Sequence, residues 1–477
     1  MAADPNNVRA RTGLADAYLY GRRFGDAVRV YDGLIAAQPA NTNFKIQRAR
    51  ALGYSGRAAQ AVRDLRAIVA AQPANLPARL ALAEAGINSG DPKLQREGIG
   101  AYRAILASQP NNVPAKLGLA RGLSYVGNYG EAKRNLNEIL TAAPDNTDAR
   151  FALAETQRFA GEPFDARDNY NRVLSAQPTN AQAQFGLRET RRNTTSSLTI
   201  GGGYYSDSNG VRVRSLNISP TIRTRALTIG AIVERGKFRQ GGVERDRNNI
   251  GITLGKQFGP LATNLTVSRL RYDGAPNRTL FDANALLTRG PRERYFAGVA
   301  RRDIFESDAA VAAGITATIY RAGFAYPLAR QVDLEGTATY YRYSDDNNRI
   351  SLLPALYYRF APTNPSLRVG VGYSYDNTDE LRPIPGGTLY YTPRRYSAAA
   401  ILADYVVDQG PTRYGIFGAY SLTSSTGDGD INRPADTLFG NIEHDVNDTF
   451  SIFANGGLVR SPDYRSEQIN GGVNLRF

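Results

Sequence analysis

The sequence predicts two domains of different fold class, an α-solenoid over residues 1–193 and a 16-stranded antiparallel transmembrane β-barrel over residues 194–477. Three observations lead there. Proline recurs at a fixed spacing in the first domain, and residues alternate between apolar and polar in the second. The chain also lacks any apolar run approaching the roughly 18 residues of a membrane-spanning helix.

The helical domain is predicted from a repeat of 34 residues. Six prolines are separated by 34, 34, 37, 34 and 34 residues, and they are Pro5, Pro39, Pro73, Pro110, Pro144 and Pro178. This period is typical of the two-helix tetratricopeptide repeat. The fourth repeat shows the expected apolar positions, with Leu119 and Leu123 on its first helix and Leu136 and Ile139 on its second. We therefore expect about five repeats and a capping helix over 181–191, with the three extra residues of the third repeat in the turn at 89–92.

The barrel domain is predicted from alternation with a period of two, which places successive side chains on opposite faces of a strand. In the last segment, Ile469, Val473 and Leu475 share one face, while Asn474 and Arg476 share the other. Twenty of the 28 tyrosines also lie in this half. The alternative is a soluble β-sandwich or propeller, but its strands would be about half as long as these segments.

Sixteen such segments are present, most of them 10–13 residues long, and the connections between them are alternately short and long. Short turns on one side and long loops on the other are typical of outer-membrane barrels. An even number of strands brings both ends of the barrel to the short-turn side. We therefore expect an outer-membrane location with the helical repeats in the periplasm.

Composition argues against an enzyme. The chain has no cysteine and a single histidine, His444, which excludes thiol catalysis and any site with several histidine ligands. The neighbouring Asp445 should face away from His444, because adjacent residues of a strand point to opposite sides. We predict no catalytic residue, metal site or cofactor. The net charge of +14 is not concentrated in basic blocks, so nucleic acid is not an expected partner.

The interior of the predicted barrel can be assigned if the apolar face of each strand contacts lipid. The residues expected to line the lumen and the path of a polymer are then polar or aromatic, and they are Glu234, Gln257, Asp333, Glu335, Tyr341, Tyr343, Tyr357, Arg359, Arg368, Asp376, Glu443, Asn474 and Arg476. Mixed charge with tyrosine rings favours passage of a neutral glucan over a strongly charged polymer.

Two segments of the barrel carry a family resemblance. The segment 301–307 (Arg-Arg-Asp-Ile-Phe-Glu-Ser) resembles the Arg-Arg-x-Val-Thr-Asp-Ser run of the outer-membrane subunits of bacterial cellulose secretion. The segment 385–396 resembles the Gly-Gly-x-Tyr-x-Ser-Pro-Gln-Arg-Tyr run of the same family, with Thr392 in place of Ser and Arg394 in place of Gln. The order of the two domains also resembles the export porin for poly-N-acetylglucosamine.

The resemblance implies an outer-membrane channel that exports an exopolysaccharide, with cellulose as the expected polymer. The implied partners are the polysaccharide, outer-membrane lipid, periplasmic or inner-membrane synthase components and the barrel-assembly machinery. Two alternatives remain. The barrel could assemble or display a protein client recruited by the repeats, or it could be a general porin with an adaptor domain.

Two further features concern gating and assembly. The connection 378–393 is the longest, and we expect it to close the extracellular mouth through Leu381, Pro383, Pro385, Gly386 and Gly387. The terminal Phe477 is the expected membrane-assembly signal. The N-terminus lacks the apolar segment of a signal peptide, and a preceding repeat should end at Pro5, so we expect this chain to be part of a longer precursor.

Overall fold

The computed structural model describes residues 7–289, 292–361, 364–384, 387–425, 435–461 and 464–477. The chain divides into two compact units, one formed by residues 1–160 with 168–183 and the other by 161–167 with 184–477. None of the helices in the described part of the chain is long and apolar enough to cross a bilayer.

The first unit is built from antiparallel helix pairs. Its helices, together with α11, which continues into the second unit, are α1 (Val8–Tyr20), α2 (Phe24–Ala37), α3 (Thr42–Tyr54), α4 (Ala58–Ala71), α5 (Leu76–Ile87), α6 (Pro92–Ser108), α7 (Val113–Tyr125), α8 (Tyr129–Ala142), α9 (Thr147–Phe159), α10 (Pro163–Ala176) and α11 (Ala181–Thr194). Leu123, Ala132 and Leu136 are buried in its core. The predicted tetratricopeptide solenoid is confirmed.

An asparagine two residues after each proline begins the next helix. The side chains of Asn75, Asn112 and Asn146 each accept a hydrogen bond from the backbone N–H three residues later, at 2.9–3.1 Å. Such a cap satisfies one of the amides that lack a partner in the first turn of a helix. The proline spacing therefore marks both the end of one repeat and the start of the next.

The turn inside each repeat requires a left-handed backbone. Gly56, Gly90, Gly127 and Gly161 have φ between +72° and +88°, and Arg22 occupies the same position in the first repeat with φ of +58°. The helix after Gly90 begins two residues later, as in the other repeats, but α6 has 17 residues where α4 and α8 have 14. The expectation that the three extra residues lie in the turn was wrong, because they lengthen the second helix.

The second unit contains a closed antiparallel barrel of sixteen strands. In chain order the strands are β1 (Ser197–Asp207), β2 (Arg212–Arg223), β3 (Thr228–Gln240), β4 (Val243–Phe258), β5 (Leu261–Tyr272), β6 (Arg278–Arg289), β7 (Glu293–Asp303), β8 (Thr316–Pro327), β9 (Val332–Tyr343), β10 (Asn348–Ala361), β11 (Ser366–Thr378), β12 (Tyr396–Gln409), β13 (Thr412–Ser425), β14 (Asp436–Asp445), β15 (Phe450–Arg460) and β16 (Arg465–Arg476). Closure occurs between β1 and β16, from Ser197 opposite Arg476 to Asp207 opposite Ser466. The predicted sixteen-stranded barrel is confirmed.

One connection differs from its prediction. The sequence suggested that a strand begins at residue 312, but β8 begins at Thr316, and a short helix, α12 (Asp308–Ala313), precedes it. Ser307 caps this helix by accepting from the N–H of Ala310, and Gly314 ends it with φ of +70°. In a later connection, 379–395, the two-residue segments 383–384 and 387–388 pair as a minimal hairpin.

The two faces of the barrel wall differ in composition. Large apolar side chains such as Leu216, Ile250 and Val371 are 59–71% exposed, and they occupy alternating positions along their strands. The intervening positions carry most of the charged groups that form ion pairs. An exposed apolar outer face and a polar inner face are the arrangement expected of a barrel surrounded by lipid.

Candidate functional site

All thirteen residues predicted for the lumen occupy strand positions that alternate with the exposed apolar ones, so their side chains lie on the inner face of the barrel. Asp333, for example, alternates with Leu334 and is 2% exposed. Gln257 donates to the carbonyl of Gly259 at 2.5 Å, and Glu234 forms an ion pair with Arg247. Contacts between side chains join most of the remaining predicted lumen residues into three groups.

The first group surrounds Asp333 at the start of β9. Its carboxylate binds Arg292 and Arg359, each at 2.5 Å. The neighbouring Arg368 contacts Glu335 at 2.5 Å and Asp404 at 2.6 Å. The guanidinium of Arg368 also lies 4.5 Å from the centre of the Tyr357 ring. Each charge in this group therefore has an opposite charge beside it.

The second group lies at the closure of the barrel. Arg476 contacts Glu443 at 3.1 Å and Asp445 at 2.8 Å. Asp445 also accepts from Arg192 of α11 at 3.2 Å, and the side chain of Asn474 accepts from Thr199 at 2.8 Å. These contacts tie the last strand to β14 and to the end of α11.

The third group combines tyrosine rings with one ion pair. Arg349 binds Asp376 at 2.6 Å and lies 4.7 Å from the ring centre of Tyr341. The rings of Tyr341 and Tyr343 are stacked with their centres 6.2 Å apart. Tyr343 in turn stacks on Tyr390 with centres 4.3 Å apart.

The connection 304–315 folds against this inner face. Val311 of α12 is fully buried beside Phe238 and Tyr272, and Phe305 meets the edge of the Tyr205 ring at 5.5 Å. Ala310 packs in a cluster that includes Tyr343. Inward residues of β1, β3 and β5 contact this connection, and so does β9. The connection therefore extends over one opening of the barrel.

Ion pairs hold the same connection in place. Asp308 of α12 binds Arg245 at 2.6 Å. Arg278 donates to the carbonyl of Val311 at 2.5 Å and pairs with Asp303 at 2.9 Å, and both side chains of that pair are almost completely buried. Charged residues of the barrel wall therefore hold the segment that covers this opening of the barrel.

A second connection meets the first one. The hydroxyl of Ser307 donates to the carbonyl of Leu389 at 2.6 Å, and the carboxylate of Glu306 accepts from the N–H of Tyr391. Tyr390 donates to Asp345 at 2.9 Å. Burial raises the pKa of Glu306 above its usual value, and the hydrogen bond from Tyr391 only partly offsets that effect. The two connections therefore form one covering layer.

Three of the five residues predicted for gating belong to the described part of the chain. Leu381 and Pro383 are exposed, and Gly387 belongs to the small hairpin. Pro385 and Gly386 lie outside the described residues. Sequence reasoning missed the connection 304–315 as a covering segment. The resemblance had drawn attention to residues 301–307, but nothing in their pattern revealed which wall residues they contact.

Two terminal features can also be placed. Phe477 is 74% exposed, and its N–H donates to the carbonyl of Ser196 at 3.0 Å. The Nδ1 of His444 lies 2.8 Å from the hydroxyl of Thr412, whereas Asp445 binds Arg476. The two neighbours therefore face opposite sides of the wall, as alternation predicted.

In the helical unit, a repeated aromatic position marks another candidate surface. Four of the first helices of the repeats end in an aromatic residue, and these are Tyr20, Tyr54, Tyr125 and Phe159. Tyr20 is 89% exposed, and the hydroxyl of Tyr54 donates to Glu84. Burial, and secondarily the charge of Glu84, raise the pKa of Tyr54 above its usual range.

Comparison with known proteins matches the tetratricopeptide repeat family to residues 126–189. No curated protein matches the chain. A solved structure titled bacterial polysaccharide outer membrane secretin is 12% identical, with a TM-score of 0.46, and covers 60% of this chain and 99% of its own. A thermophilic tetratricopeptide repeat protein from Thermus thermophilus is 18% identical, with a TM-score of 0.36, and covers 38% of this chain and 98% of its own.

A tetratricopeptide repeat protein from Parabacteroides merdae is 14% identical, with a TM-score of 0.30, and covers 39% of this chain and 72% of its own. The chain therefore combines helical repeats, part of which match the tetratricopeptide repeat family, with a closed sixteen-stranded barrel.

Proposed function

We propose that this protein is an outer-membrane channel that exports an exopolysaccharide, that the polymer is cellulose, and that the repeats lie in the periplasm and dock the polymer or its synthase. The observation that carries the proposal is the inner face of the barrel. Its guanidinium and carboxylate groups neutralise one another around Asp333, Arg368 and Arg476. A wall of this kind offers hydrogen bonds without a strong field of either sign, which suits a neutral glucan.

The thirteen inward residues are proposed as the polymer path. Tyrosine rings such as Tyr341 and Tyr357 provide flat apolar surfaces against which sugar rings can slide, and their hydroxyls provide hydrogen-bonding partners. The covering layer is proposed as the gate. A pore of sixteen strands is wide enough to leave an aqueous channel, so an uncovered one would let small solutes leak. The gate would open only if Val311 and Tyr390 lost their contacts with the barrel wall.

Conductance in planar bilayers tests the gate. One variant replaces Asp308–Ala313 with a Gly-Ser linker of the same length, and a second variant replaces 380–384, the part of the covering layer where Leu381 and Pro383 are exposed, in the same way. We expect several-fold higher single-channel conductance for the first variant and a smaller change for the second. A wild-type channel that already conducts freely would contradict the gate and support a general porin.

The polymer is tested with the same α12 replacement variant. Neutral cello-oligosaccharides should enter the open channel and cause transient blocks of the current. Cationic glucosamine oligomers and anionic uronic acid oligomers of equal length serve as controls. Stronger block by either charged series would show that cellulose is the wrong polymer, while the channel itself would stand.

A further inference from the structure

The outer wall of β2–β5 carries a basic band near one end of the barrel. Its members are Arg212, Arg214, Arg235, Lys237, Arg239, Arg269 and Arg271. They occupy outward positions, since they alternate with inward residues and share their face with exposed Leu216 and Ile250. The register places Arg214 beside Lys237, and Asn248 beside both Arg235 and Arg271.

Carboxylates on the same face neutralise only part of this band. Glu244 binds Lys237 and Arg239, and Asp246 lies 3.7 Å from Lys237. In the part of the chain that the structure describes, Arg212, Arg214, Arg235, Arg269 and Arg271 form no ion pair, in contrast to the paired arginines of the inner face. Arg235 instead lies 3.4 Å from the amide oxygen of Asn248. The band therefore presents an excess of positive charge outward.

An apolar surface adjoins the basic band on the same strands. Ile218, Val233 and Ile252 are exposed on this surface. Beside them the wall has a groove of about 980 Å³, where the small residues Gly202, Gly471 and Ala454 lie side by side. Arg214, Arg235 and Lys237 line the same groove. Cations above an apolar groove match an amphiphile with an anionic head and acyl chains.

We propose that this face binds a phosphorylated glycolipid of the outer leaflet, with its phosphates on the basic band and its acyl chains in the groove. The proposal rests on the outer-membrane location proposed above, with the end of the barrel that carries the longer connections outward. An unpaired arginine is tolerated on a lipid-facing wall only near the interface, where headgroups are available. Guanidinium groups also bind phosphate oxygens in a bidentate manner, which makes arginine well suited to this role.

Lipid binding to the purified full-length protein in detergent tests the proposal, with native mass spectrometry as the readout. The probes are a bisphosphorylated lipid A, the same lipid without phosphates, and phosphatidylglycerol. The variant Arg235→Gln/Arg271→Gln removes two unpaired cations of the band. The matched control, Lys256→Gln/Arg289→Gln, removes two exposed cations at the other end of β4 and β6.

We expect the bisphosphorylated lipid to bind wild type about tenfold more tightly than the lipid without phosphates, and the band variant to lose about tenfold in affinity. The control variant should bind as wild type does. Equal binding of the two forms of lipid A by wild type, equal loss in both variants, or equally tight phosphatidylglycerol binding would overturn the proposal. The comparison of probes on wild type needs no variant to fold. Conductance and oligosaccharide block are measured separately, so failure here leaves the export proposal standing.

Discussion

The helical repeats and the barrel place the same residue types in opposite environments. In the repeats, leucines such as Leu136 are fully buried and most ion pairs lie at the surface. In the barrel, leucines such as Leu216 are exposed, and the charged groups around Asp333 are enclosed by the wall. The difference shows that the surroundings of each domain decide which side chains are buried. Lipid accepts exposed apolar side chains, whereas water does not. Single substitutions can therefore be chosen that lower the stability of the barrel and not that of the repeats, or the reverse.

The largest effect is expected from Asp333→Asn. It leaves Arg292 and Arg359 without their carboxylate partner, and breaking an enclosed ion pair typically costs about 3–5 kcal/mol. The barrel should lose its heat-resistant gel mobility at a lower temperature, while the helical circular dichroism of the repeats stays unchanged. Asp246→Asn is the control, because Asp246 is 55% exposed and its pair should contribute little. Equal shifts for both variants would contradict the distinction between inner and outer charges.

Leu136→Ala should destabilise the repeats by about 2–5 kcal/mol, because it leaves a cavity in a tightly packed core. Denaturant titration followed by circular dichroism at the helical band measures this loss. The counterpart, Leu216→Ala, removes an exposed leucine from the barrel and should change neither the barrel's thermal stability nor the repeats. A large loss of barrel stability in the counterpart would mean that the outer face is packed like a core.

Two glycines of α6 test how closely the helices approach. A Cβ at Gly98 would lie 2.7 Å from the carbonyl oxygen of Ala83, whereas at Gly100 it would meet open space. We therefore expect Gly98→Ala to cost about 1–3 kcal/mol through overpacking. Gly100→Ala should stabilise the repeats by up to about 1 kcal/mol through helix propensity. The same titration compares them, and a Gly98→Ala variant as stable as Gly100→Ala would refute the predicted close approach of α5 and α6.

The smallest effect concerns Arg22, which has the left-handed backbone that the other repeats give to glycine. Arg22→Gly should raise the unfolding free energy of the repeats by about 1 kcal/mol, since glycine adopts this conformation without steric cost. The reciprocal change, Gly127→Ala, should lower it by a similar amount. A destabilised Arg22→Gly variant would show that the arginine side chain matters more than the backbone.

Local periodicity was sufficient to predict the helical repeats and the inner face of the barrel. The 34-residue spacing located the repeats, and alternation assigned thirteen residues to the inner face. It could also have located Arg349 and Asp404, which alternate with apolar residues on β10 and β12. It could not have found Arg292, which lies in a turn where no period applies.

By itself, the sequence determined which fold each half adopts and which face each strand residue occupies, because both depend on the geometry of neighbouring residues. Only the tertiary structure decided the rest. The partners of Asp333 come from three separate segments, and their proximity depends on the register of the closed barrel. The covering layer was decided in the same way, since Val311 of the segment 304–315 and Tyr390 of the connection 379–395 reach their places through contacts between residues far apart in the chain.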